Sequence, residues 1–81
     1  MLIIKVKDMI TKADREALKR VGAKYYIEFV VDPQSSDPIL NNGYYCVCRT
    51  SDDAILFDCK SRDMAIGFCY GRGIENEFAE I

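Results

Sequence analysis

Two short segments, residues 44–49 (YYCVCR) and 54–59 (AILFDC), flank the four polar residues TSDD at 50–53. Aromatic, β-branched and other apolar residues dominate both segments, and the gap between them is turn-like. This is the pattern of a β-hairpin. Placing Arg49 opposite Ala54 sets Cys48 against Ile55, Cys46 against Phe57 and Tyr44 against Cys59. Side chains two apart on a strand share a face. One face then reads Tyr44, Cys46, Cys48, Ile55, Phe57, Cys59, which is a core face. The other reads Tyr45, Val47, Arg49, Ala54, Leu56, Asp58, which is mixed.

A hairpin alone is marginally stable in water and must be covered. The rest of the 81-residue chain supplies the cover. LIIKVK at the start alternates as a first strand. TKADREALKRVGA is a helix, with Thr11 as N-cap, Asp14 at the capping-box position and Gly22 as its stop. Its apolar stripe is Ala17, Leu18 and Val21. YYIEFVVD is a second strand with Tyr25, Ile27, Phe29 and Val31 on one face. Residues 33–43 form a long loop rich in Pro, Ser and Asn, and loops of this length are commonly binding elements. SRDMAIGFCYGRG is a second helix, capped by Ser61, with Met64, Ala65, Phe68 and Cys69 on its apolar face. EFAEI is a short last strand. The order β-α-β-β-β-α-β predicts a single two-layer α+β domain over 1–81. Its sheet is mostly antiparallel, with two helices on one face.

In that arrangement all four cysteines, Cys46, Cys48, Cys59 and Cys69, converge on facing surfaces. Core packing and a zinc site both suit convergence. Structural zinc favours tight Cys-x-x-Cys turns, whereas Cys-x-Cys lies here within a strand and the chain has no histidine. Buried thiols packing as small hydrophobes are therefore the preferred reading, with no metal and no cofactor. The four cysteines are the ligand set if that reading fails.

The chain carries no apolar run of bilayer length and no signal-peptide pattern, so it is read as cytoplasmic and not membrane-bound, a reducing setting in which structural disulfides are rare. The net charge of −2 conceals an asymmetry. Lys5, Lys7, Lys12, Arg15, Lys19, Arg20 and Lys24 outnumber Asp8, Asp14 and Glu16 in the first 24 residues, and the remainder is acidic. Without histidine, a Ser-His or Cys-His nucleophile pair is impossible, and no phosphate-binding glycine motif is present. These features argue against an enzyme.

The expectation is a small non-enzymatic protein-binding domain. By size and lack of motifs, it suits a phage or mobile-element inhibitor of a host enzyme or a CRISPR-type defence complex, acting in the host cytoplasm. The partner-binding candidates are Lys12, Arg15, Lys19, Tyr26, Ile39, Leu40, Tyr45, Asp52 and Asp53. Tyr and Arg are enriched at interface hot spots. The first alternative is a nucleic-acid module using the basic first strand and helix, and the second is a small zinc protein. The hairpin face bearing Tyr45, Val47 and Leu56 turns away from both helices, and Gly67 stands on the outer side of the second. These features suggest a homodimer.

Overall fold

The computed structural model describes residues 10–81. The expected first strand, with Lys5 and Lys7, lies outside the described residues. The elements are α1 (Lys12–Val21), β1 (Tyr25–Val30), α2 (Pro38–Asn42), β2 (Tyr44–Arg49), β3 (Ile55–Cys59), α3 (Arg62–Gly71) and β4 (Phe78–Glu80). They form a small α+β fold, as expected, in which the described strands make a mixed four-stranded sheet in the order β3-β2-β1-β4. The β1–β2 and β2–β3 pairings are antiparallel and β1–β4 is parallel.

The local signals act as their chemistry dictates. The Thr11 hydroxyl accepts from the Asp14 N–H at 3.1 Å and caps α1, and the Ser61 hydroxyl accepts from the Met64 N–H at 3.1 Å and caps α3. Gly22, at φ +69°, lets the chain leave α1 in a left-handed turn. The expected loop at 33–43 contains a helix. Asp37 caps it through the Ile39 N–H, and Pro38 occupies the first turn, where its missing N–H costs nothing.

Two details of the core differ from expectation. The first is the hairpin register. Cys48 does face Ile55, but beyond it Val47 faces Phe57, Cys46 faces Asp58 and Tyr45 faces Cys59. The extra residue is Leu56, a bulge in β3. A one-residue shift sends every later side chain to the other face. Here it moves Phe57 and Cys59 beneath α3 and leaves Asp58 exposed.

The second is the placement of the helices. Leu18 of α1 packs with Ile10, Tyr26, Cys46 and Cys48. Ala65 and Cys69 of α3 pack with Ile27 and Val47. Adjacent strand residues point to opposite sides, so α1 and α3 cover opposite faces, and the expectation of both on one face is corrected. The cause lies in β1 and β2, whose central residues are apolar on both sides and need burial on both. Of the expected stripe on α1, only Leu18 is buried; Val21 is 70% exposed and Ala17 is exposed. On α3, Met64 points outward while Ile66 and Phe68 pack, and the Phe68 ring stacks on Phe57 with centroids 4.5 Å apart. Val47 is fully buried under α3, so the hairpin face assigned to a dimer contact is not available for one. Gly67, by contrast, is exposed with open space beside it.

Candidate functional site

The sequence-derived candidates fall into three places. The first is an internal polar cluster at the hairpin turn. Asp53 adopts φ +60°, a left-handed conformation that Asp tolerates better than most residues. One carboxylate oxygen accepts from Arg15 Nη2 at 2.6 Å, and the other accepts from the Tyr26 hydroxyl at 2.8 Å. Arg15 Nη1 also donates to the Thr50 carbonyl at 2.9 Å. Arg15 and Asp53 keep side-chain exposures of 33% and 14%, and Tyr26 is fully buried. Burial first, then the bond to Asp53, pushes the Tyr26 phenol far above the usual tyrosine range. Arg15, Tyr26 and Asp53 thus tie α1, β1 and the turn together. Tyr26 has no surface to offer a partner, and the charges of Arg15 and Asp53 answer each other.

The second place is the outer surface of α1 and the hairpin turn. Lys12 and Lys19 are exposed, as is Arg20, and none has an ion pair among the described residues. Glu16 interrupts them. Lys24 pairs with Glu77 at 3.3 Å. The basic surface is therefore smaller than the sequence count implies. Asp52 is exposed but accepts from Arg49 Nε and Nη2 at 2.9 and 2.7 Å. These bonds hold its carboxyl down at about 2.

The third place is the end of the sheet where β1 finishes, α2 crosses and β2 starts. Ile39 is 60% exposed, Phe29 45% and Val31 43%. Tyr45 and Leu40 are half-buried. The Phe29 and Tyr45 rings lie 4.9 Å apart, and the Phe29 ring rests on Gly43, where an added Cβ would fall 2.3 Å from its Cζ. Gly43 at φ +88° thereby supplies both the turn into β2 and the room for the ring. Two hydrogen bonds fix the segment: Asp32 N–H to the Leu40 carbonyl at 2.8 Å, and Asn41 Nδ2 to the Pro33 carbonyl at 2.7 Å. Ile39, Leu40 and Tyr45 were expected at a contact surface, and the fold brings them to one end of the sheet. Phe29 and Val31 join them unexpectedly. Their alternation placed them on the core face, yet both stay substantially exposed. The signal that could have found them is the glycine after two asparagines, a position where backbone and ring can meet closely.

The four cysteines do not form one site. Cys46 and Cys48, with Sγ atoms 3.7 Å apart, lie on the α1 face, whereas Cys59 and Cys69 lie on the α3 face. All four are thiols, and burial pushes the Cys69 pKa up. Among the described residues no group of three or more His, Cys, Asp or Glu is placed to hold a metal ion. No helix among them is long and apolar enough to cross a membrane. Comparison of the chain with protein-family models, curated proteins and solved structures finds no match.

Proposed function

We propose that this chain is a small non-enzymatic protein-binding domain that meets its partner through the end of the sheet bearing Phe29, Val31 and Ile39. The observation that supports the reading most is the exposure of these three side chains around a rigidly tied α2, with Tyr45 beside them. Aromatic and aliphatic anchors held in fixed positions lose little conformational entropy on binding. A domain of this kind suits an inhibitor that blocks a larger host enzyme or defence complex, as phages and mobile elements encode.

A second reading rests on Lys12, Lys19 and Arg20, exposed on α1 without ion pairs among the described residues, as a contact for nucleic acid. A pull-down with and without nuclease, alongside a gel-shift with mixed DNA and RNA, separates the two. The protein-binding reading expects a nuclease-resistant protein partner, lost from a Phe29→Ser/Ile39→Asp variant and retained by Lys12→Glu/Lys19→Glu/Arg20→Glu. It also expects no shift at about 150 mM salt, where weak phosphate contacts are largely lost. A shift at that salt, abolished by the three Glu substitutions, supports the nucleic-acid reading and removes the first.

A further inference from the structure

The opposite end of the sheet, where β1 starts and β2 finishes, carries a groove that none of the expected sites includes. Tyr25 and Arg49 stand directly opposite each other in the β1–β2 ladder. They line both of two adjoining clefts. One, of about 400 Å³, runs toward Ala23 and Thr50. The other, of about 290 Å³, is closed by Leu56, Phe68 and Ile74, with Arg72 also lining it. Each is about the size of a small binding pocket.

The first cleft is mostly apolar, the second is lined by polar and apolar surface in comparable measure, and the charges around them are mostly cationic. Lys24 pairs with Glu77, and Asp52 takes Nε and Nη2 of Arg49, leaving Nη1 uncommitted among the described residues. The Arg72 guanidinium lies 5.1 Å from the centre of the Phe68 ring and has no ion pair among the described residues. The groove therefore presents one whole guanidinium and one edge of another beside one apolar and one mixed cleft.

We propose that this groove takes an acidic extended peptide segment of the protein partner, with an apolar side chain in each cleft and a carboxylate on Arg72. An unpaired guanidinium recognises a carboxylate by charge-assisted hydrogen bonds. A nucleic-acid strand fits less well, because a run of phosphates would meet Asp52 and Glu77 as well as the cations. The proposal rests on the protein-binding reading but uses the other end of the sheet, so the two surfaces can fail separately.

The test is selection of random short peptides displayed on phage against the intact chain, followed by titration of synthetic copies of the selected peptides. The expected peptides place Asp or Glu next to Leu, Phe or Tyr. Their affinity falls at least about tenfold in Arg72→Glu, the loss of one charge-assisted contact, and less in Arg72→Lys. Phe29→Ser/Ile39→Asp leaves that binding unchanged, and circular dichroism shows each variant folded. The groove is overturned if no peptide is enriched, if the enriched peptides are basic, or if Arg72→Glu binds within twofold of the parent. Loss of binding in Phe29→Ser/Ile39→Asp instead overturns the groove but leaves the protein-binding reading standing. Displacement of the peptides by a thymidine oligonucleotide at physiological salt overturns both.

Discussion

Replacing Asp53 with Ala removes the group on which three elements converge. The Tyr26 hydroxyl, fully buried, loses its acceptor at 2.8 Å. Leaving a buried donor unsatisfied costs about 1–3 kcal/mol. The ion pair with Arg15 is partly exposed, so its loss adds no more than about 1 kcal/mol. Alanine at φ +60° adds roughly 1 kcal/mol of backbone strain. The total is about 2–5 kcal/mol. A chain of this length has a stability of roughly 4–12 kcal/mol, so Asp53→Ala removes a large share of it. Asp53→Asn keeps an acceptor for Tyr26 and tolerates the left-handed backbone, and should cost only about 1–2 kcal/mol. Tyr26→Phe in the Asp53→Ala background should recover part of the cost, because the hydroxyl that lost its Asp53 acceptor is gone. The assay is urea unfolding followed by tyrosine fluorescence and circular dichroism, since the chain has no tryptophan. An Asp53→Ala cost below about 1 kcal/mol, or no recovery on adding Tyr26→Phe, would refute the clamp.

Phe29→Ser/Ile39→Asp should leave the protein folded at a cost of about 1–2 kcal/mol in urea, since Ile39 is 60% exposed while Phe29, 45% exposed, loses its ring contact with Tyr45. Gly43→Ala should destabilise by about 2 kcal/mol in thermal melts, since its Cβ meets Phe29 and its φ is +88°. Adding Phe29→Ala should relieve the collision but not the backbone strain. Acid should weaken the fold modestly in a defined window. Asp52 is held at about 2 by Arg49, and Glu80 is lowered by its bond from Arg62, whereas unfolded carboxylates titrate near about 4. Depressed carboxylates stabilise the fold above the unfolded pKa and lose that contribution as pH falls through the folded one. Stability should therefore decline from about pH 4 toward about pH 2, and Arg49→Gln should flatten that decline.

Much of the fold follows from local chemistry. Thr11 and Ser61 announce their helices, and TSDD announces its turn, because caps and turns are settled by a few adjacent groups. The helix at 38–42 was also announced, by Asp37 before Pro38, but the surrounding Ser, Asn and Pro outweighed it. The hairpin register was not readable beyond Cys48. Shifting β3 by one residue exchanges Phe57 for Asp58 on the α3 face, and only the presence of α3 decides which is buried. The side of the sheet each helix covers was partly readable. YYIEFVV and YYCVC are apolar at nearly every position, which signals burial on both faces rather than one. At the candidate surface, Ile39, Leu40 and Tyr45 were legible as apolar residues without an evident core position. Phe29 was not, because its alternation is that of a core residue.

The most direct test of the central claim is the affinity of the captured protein partner for the parent chain and for Ile39→Asp, measured by titration at matched stability. An anchor at the centre of an interface contributes about 2 kcal/mol or more, so the account predicts a loss of roughly thirtyfold or greater. An affinity within about threefold of the parent, in a variant shown to be folded, would contradict it.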